Sequence, residues 1–282
     1  MTAESIPVGL GIGLYGLASL WSIRDLVQPG RVRPRAAALA LAMGTLLLLA
    51  VLLARGLAGG RMPVFGRFEA LTVYSLVVTT AFLAAAGRRR MHALLALLAP
   101  YATVLLLVGA AAARQEVRVA AELDPLWLGL HVGTAFAGYA LCTLAGVLGL
   151  AYLIQDRNLK RKRLGVLFER LPSLESLDRT MATQIGAAFI MLTVSVGCGA
   201  RLVHLHGDGP EWLRDPKVLS TLATWAIYAV LMHMRTNADR HGRGMAAIAL
   251  LGLTFVLFSF LGIHVLASSL HDFAVTGGVG LP

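Results

Sequence analysis

Charge is what this sequence has least of. Only 14% of its 282 residues are Asp, Glu, Lys or Arg, against about 25% in an ordinary soluble domain. Hydrophobic residues make up 57%, more than a soluble core of this length can enclose, so lipid must serve as the solvent for most of them. Cysteine is nearly missing. Cys142 and Cys198 each lie inside an apolar run and form no CxxC pair. A disulfide framework, a cysteine-based zinc site and a thioredoxin-like redox motif are thereby excluded, and both thiols read as small packing residues. Carboxylates are almost absent from the apolar runs, which makes a proton relay hard to build and weighs against a proton or divalent-metal transporter. Two-residue alternation is absent, which disfavours a β-barrel. No repeat of fixed period and no long linker is visible, so a single integral membrane domain over 1–282 is expected. Met1 to Pro7 carry no basic n-region and no small-residue cleavage site follows, so the first apolar run is expected to be a retained span.

Eight apolar runs are present, at 6–23, 36–57, 68–86, 92–112, 127–154, 182–203, 218–234 and 245–268. A helix rises 1.5 Å per residue, so about 20 such residues cross a hydrocarbon core of about 30 Å. The fold class predicted is all-α: a polytopic membrane helix bundle of about eight spans, the seventh the shortest. The net charge of +10 sits in short clusters between spans rather than in a basic domain, a pattern of membrane topology and not of nucleic-acid binding. Seventeen of the Lys and Arg residues fall in one set of alternate loops: Arg24, Arg31, Arg33, Arg35, Arg88 to Arg90, Arg157, Lys160 to Arg163, Arg170, Arg179, Arg235, Arg240 and Arg243. Eight fall in the other: Arg55, Arg61, Arg67, Arg114, Arg118, Arg201, Arg214 and Lys217. The positive-inside rule assigns the richer set to the cytoplasm, and eight spans then leave both termini extracytoplasmic.

That orientation sorts the eight histidines. His131 opens span five on the outer side, His204 and His206 close span six there, and His264 and His271 lie at and just beyond the end of span eight. Five imidazoles from three helices thus gather at one face. His233 closes span seven on the inner side. His92 and His241, beside arginines, read as solvated surface residues. Imidazoles from separate helices can supply both axial ligands of a haem iron; they can also bind zinc or copper, titrate as a pH sensor, or sit at headgroup depth as amphipathic residues. His204 and His206 are two apart and do not share a helical face, so joint chelation of a metal needs an extended backbone. Gly9, Gly11, Gly13 and Gly16 look like a nucleotide-binding pattern but follow no strand, and close helix packing accounts for them better. The run Lys160 to Arg163 is a topology signal that also attracts anionic lipid. Asp215-Pro216 marks a helix start, with Asp as N-cap and Pro in the first turn. Trp127 and Trp212 fit the outer aromatic belt, and Trp212 can also offer an indole face to a porphyrin.

Several stretches carry a resemblance. LKRKRLGVLFERLPSLESLDR (159–179) is similar to a basic segment followed by RLPSLExLDR. LHVGTAFAGYALCTLAGVLGLAYL (130–153) matches a span that opens with a histidine. DPKVLSTLATWAIYAVLMHMR (215–235) resembles DPKExWSLITWLIYAIYLHxR, and FLGIHVLASSLHDF (260–273) resembles FLGVNxxxxGLHSY. RMPVFGRFEAL (61–71) is similar to an outer loop with a proline and a glutamate ahead of a span. Together they resemble the cytochrome c assembly protein family, which includes CcsA (or ResC) proteins, CcmC-like haem handlers and the HemX group, over a core of about 60–273.

The resemblance implies haem held at the outer face beneath a tryptophan-rich segment and between two histidines, which correspond to His131 and His271 as axial candidates. It implies a further haem-binding histidine within the membrane, corresponding to His233. Where the family reads WGxYWxWDPKE this chain reads HGDGPEWLRDPKV: Trp212 and Asp215 to Lys217 remain, Arg214 takes the second tryptophan position and Val218 the glutamate position. His264 stands at the asparagine of GVN, so that His264 and the pair His204 and His206 offer replacement ligands. The expectation is a haem chaperone or synthase subunit, more than a stand-alone enzyme. It would bind haem b non-covalently in a bacterial inner membrane, with a CcsB (ResB)-like membrane protein and an apocytochrome c as partners. The alternative is a HemX-like membrane regulator of haem biosynthesis, which attaches no haem and meets a cytoplasmic partner through 155–180.

Overall fold

The structure, a computed structural model, describes residues 5–28, 34–60, 62–64, 66–85, 91–111, 124–162, 165–206, 210–236 and 241–259. Among these the regular structure is helical throughout: α1 (Ser5–Val27), α2 (Pro34–Gly59), α3 (Arg67–Ala85), α4 (Leu95–Ala111), α5 (Pro125–Lys160), α6 (Val166–Arg170), α7 (Leu174–His206), α8 (Pro216–Thr236) and α9 (Arg243–Leu257), with 3-10 turns at Met91–Leu94 and Pro210–Arg214. Seven of these helices are long and apolar enough to cross a membrane; α9, at 15 residues, is a shorter apolar helix within the described range. The all-α membrane bundle read from the sequence is what is found. The run expected at 245–268 continues past residue 259 outside the described residues, and His264 and His271 lie there.

Two helices outrun their apolar stretches. α5 has 36 residues and α7 has 33, or about 54 Å and 50 Å at 1.5 Å per residue, well beyond the hydrocarbon core. Local chemistry explains the extra turns. Asp124-Pro125 starts α5 just as Asp215-Pro216 starts α8. Asp124 Oδ1 accepts from the amides of Leu126 (2.9 Å) and Trp127 (3.2 Å), and Asp215 Oδ1 accepts from those of Lys217 (2.8 Å) and Val218 (3.2 Å). Ser173 caps α7 through the Ser176 amide.

The helices form two up-and-down rings of four. In the first, α1 packs on α2, α2 on α3, α3 on α4 and α4 back on α1; in the second, α5 packs on α7, α7 on α8, α8 on α9 and α9 back on α5. α3 joins the rings by packing on α5. Hydrocarbon offers no partner to a hydroxyl, so hydroxyls inside a span must bond to protein. Accordingly the Tyr15 hydroxyl meets Thr45 (2.8 Å) and donates to Thr79 (3.2 Å), and Ser19 meets Thr103 (2.9 Å), which ties α1 to all three neighbours. Tyr74 meets Tyr101 of α4 and Thr143 of α5, sealing the junction between rings. In the second ring Tyr228 donates to the Cys142 carbonyl (3.0 Å), and Ser220 of α8 donates to Ser259 (3.1 Å) beyond α9. Both cysteines are buried and unpaired by disulfide, as packing residues should be.

Two expectations need correcting. Of the four glycines in α1, only Gly11 packs closely, with a Cβ there 2.7 Å from Leu48 Cγ; at Gly9, Gly13 and Gly16 nothing lies within 4 Å. Crowding is instead concentrated on α5, where a Cβ on Gly149 would lie 2.6 Å from the Ala246 carbonyl oxygen of α9. His92 is not a solvated surface residue: it is half-buried, with Nδ1 sealed from solvent and no hydrogen-bond partner among the described residues. The turn Met91–Leu94 that carries it packs against α1, α2 and α5 as well as α4, which the neighbouring arginines in the sequence do not reveal.

Gly149→Ala should destabilise the bundle by about 1–3 kcal/mol, since a backbone oxygen cannot move aside as a side chain would. Gly133→Ala, with nothing within 4 Å, should be nearly neutral. Thermal unfolding of the two variants in detergent tests this; equal midpoints would show that α5 and α9 can separate freely.

Candidate functional site

The two ends of the bundle differ in chemistry. At one end lie the carboxyl end of α1, the 155–180 stretch and the start of α9. They are linked by Arg170 Nη2 donating to the Gln28 carbonyl (2.9 Å) and Gln155 Nε2 donating to the Phe168 carbonyl (3.1 Å). This is the Lys- and Arg-rich end. The opposite end gathers the start of α3, the first turns of α5, the last turns of α7 and the start of α8. Met62 there approaches the Gly129 Cβ position to 3.5 Å. Glu69, buried in the first turn of α3, accepts from the Gly66 amide (3.3 Å) and faces Arg55 (3.5 Å), whose guanidinium lies 5.1 Å from the Phe68 ring centroid.

His131 sits at this second end, on the α5 stripe that faces α7. Gly138, seven residues on, lies on the same stripe with its Cβ position 2.9 Å from Leu192 Cδ2. His131 Nδ1 is 2.8 Å from the Ser195 carbonyl oxygen, and Ser195 Oγ donates back to the His131 carbonyl (3.2 Å). A carbonyl only accepts, so the proton of a neutral ring belongs on Nδ1 and the lone pair on Nε2. Gly199, one turn beyond Ser195, makes the seat possible. A Cβ there would lie 2.9 Å from Cε1 and 3.0 Å from Nδ1 of the imidazole, a collision with a ring that has no flexible end to yield.

His204, exposed, follows Gly199 by five residues on α7, and Trp212, half-buried, lies in the turn Pro210–Arg214 that leads into α8. The sequence therefore correctly groups His131, His204 and Trp212 at one end. α7 stays helical through His206, so the extended backbone that joint chelation by His204 and His206 requires is not found. No group of three or more His, Cys, Asp and Glu that could hold a metal occurs among the described residues. His264 and His271 lie outside those residues. His233 is elsewhere: it is exposed in the last turn of α8, at the Lys- and Arg-rich end. Along α7, Gly199 beside His131 and Asp178 beside Arg235 are separated by about 31 Å of helix. His131 and His233 therefore lie toward opposite ends of the bundle.

Beneath His131 the second ring is braced. Tyr139 of α5 bonds to Thr221 of α8, and the Trp225 indole donates to Thr193 of α7 (2.9 Å) while stacking on Phe189 with centroids 5.9 Å apart. Ser195 and Gly199 were not identified from the sequence. A serine and a glycine in an apolar run carry no sign of what faces them.

The sequence matches the family model described as Cytochrome C assembly protein over residues 32–271. It is similar to proteins named cytochrome c biogenesis protein CcsA. That of Synechococcus sp. (strain CC9902) is 28% identical, over 90% of this chain and 90% of the relative. That of Parasynechococcus marenigrum is 26% identical, over 96% and 98%. That of the green alga Chlamydomonas reinhardtii is 26% identical, over 93% and 72%.

With selectively ¹⁵N-labelled histidine, the His131 ring should show the proton on Nδ1. Gly199→Ala should displace that resonance, whereas Gly197→Ala, with nothing within 4 Å, should leave it in place. An unshifted signal in the Gly199 variant would mean that the ring does not rest against α7.

Proposed function

This chain belongs to the cytochrome C assembly protein family, and from that premise we propose that it works in cytochrome c biogenesis as a multi-pass membrane protein that holds haem for an apocytochrome. The observation that carries the reading is the hydrogen bond from His131 Nδ1 to the Ser195 carbonyl. Metal-bound histidines characteristically donate their second ring nitrogen to a carbonyl or carboxylate, which fixes the tautomer, orients the ring and raises the basicity of the ligating nitrogen. His131 has that partner in place, together with a glycine that leaves room for the ring.

In this reading His131 and His271 would hold the iron of a haem b bound without a covalent link. His264, His204 and His206 would serve as replacement ligands, and Trp212 would supply an indole face. His233, at the other end of the bundle, would hold haem on the inner part of its path. When bound, haem supplies an iron that accepts two imidazoles and vinyl groups that take up cysteine thiols. The chain has no CxxCH sequence, so it presents haem and does not receive it. His131 and His271 would keep the iron coordinated until an apocytochrome arrives. A CcsB (ResB)-like membrane protein is the expected partner. The excess of Lys and Arg at the opposite end orients the His131 end away from the cytoplasm of a bacterial inner membrane and leaves both termini outside.

A second reading is favoured by Arg214 and Val218, which stand at the second tryptophan and glutamate positions of the family's haem-contacting segment: a regulator of haem synthesis that attaches nothing. Deletion of the gene separates the two. Loss of covalent c-type cytochromes supports the first, and altered haem precursors with intact cytochromes supports the second.

Purification from haem-replete cells should yield a Soret band. It should weaken severalfold in the double variant His131→Ala, His271→Ala and survive His92→Ala. A spectrum identical in the double variant would remove this ligand pair.

A further inference from the structure

A single carboxylate gathers the Lys- and Arg-rich end of the second ring. Asp178 lies in the second turn of α7. Its Oδ2 accepts from Arg235 Nη1 at 2.8 Å and its Oδ1 accepts from the Gly242 amide at 2.9 Å. Arg235 belongs to the last turn of α8, and Gly242 is the residue before α9. Gly242 has φ +81°, a region in which an L side chain is strained. A Cβ there would also lie 2.8 Å from the Tyr152 hydroxyl of α5. Contacts from all four helices of the ring therefore converge within one residue of Asp178. The pair is sheltered without being sealed, with side-chain exposures of 25% for Arg235 and 14% for Asp178.

A helix end frays unless something holds it, because the last carbonyls lack partners within the helix. In α8 that end carries His233, two residues before Arg235. We infer that Asp178 is a positioning residue for the His233 imidazole: by holding Arg235 it fixes the rotation and depth of the last turn of α8. The inference rests on the reading of His233 as the first haem ligand. Both oxygens of Asp178 are engaged, each to a different element, so neither an amide nor a shortened side chain can replace it. An asparagine offers one acceptor oxygen and no charge, and so keeps at most one of the two bonds. A glutamate keeps both acceptors and the charge on a longer stem.

The test is titration of the full-length protein in detergent with haemin, in the background His131→Ala, His204→Ala, His206→Ala, His264→Ala, His271→Ala, so that only the His233 end is read. The readouts are haemin affinity from Soret absorbance and the ferric haem signature in electron paramagnetic resonance. His233→Ala should abolish the signature. Asp178→Ala should lower haemin affinity about tenfold and broaden the signature, and Asp178→Glu should recover most of it. In the otherwise unaltered chain, Asp178→Ala should leave the ¹⁵N resonance of His131 unchanged, which separates positioning from general unfolding. If His233→Ala removes the signature while Asp178→Ala leaves both readouts intact, the inference is wrong and the reading of His233 stands. Displacement of the His131 resonance by Asp178→Ala would equally overturn it, as a global structural effect. If His233→Ala itself changes nothing, the reading of His233 falls and takes the inference with it.

Discussion

Hydrocarbon gives a polar group no partner, and the architecture follows from how this chain meets that condition. Backbone groups are satisfied inside helices, which is why the described residues hold helices and no strands. Side-chain hydroxyls are satisfied between helices or on their own backbone, and their placement decides which helices touch. Tyr15 draws α2 and α3 to α1, Tyr74 draws α4 and α5 to α3, and Tyr139 draws α8 to α5. Each such bond contributes modestly, about 0.6 kcal/mol on average in a membrane, yet each also removes a competing packing in which a hydroxyl would face lipid. Together they specify the two rings and the α3–α5 junction that joins them.

The same condition sorts charge to the ends of the bundle. Glu69 and Asp215 are buried at one end, Glu69 against Arg55 and Asp215 against the amides at the start of α8. Asp178 is sheltered at the other, between Arg235 and Gly242. Between those levels the polar groups of the spans are neutral hydroxyls. An imidazole fits the boundary because it is neutral for much of the time near pH 7 and carries a donor and an acceptor on one ring. His131 uses its donor against α7, and that single bond turns an amphipathic interfacial residue into an oriented base.

The two histidines differ in how they are held. At one end His131 is seated directly on the neighbouring helix by a carbonyl and a glycine. At the other, His233 belongs to a helix end whose anchorage is supplied two residues away by an ion pair.

By itself the sequence determined the solvent and the helices, and implied an orientation for the bundle. Long apolar runs, sparse charge and clustered Lys and Arg are local facts, and the length of a helix and the side of a membrane answer to local composition. It also grouped His131, His204 and Trp212 at one end, because consecutive spans must alternate in direction. What it left open was every relation between spans. It did not show that α5 and α7 run past their apolar stretches together, that the glycines of α1 mostly face open space while Gly149 and Gly199 are crowded, or that Ser195 and Asp178 hold the groups they do. Those depend on the rotation of one helix against another. Rotation is set by the sum of many weak contacts between residues far apart in the chain, so only the assembled bundle decides it.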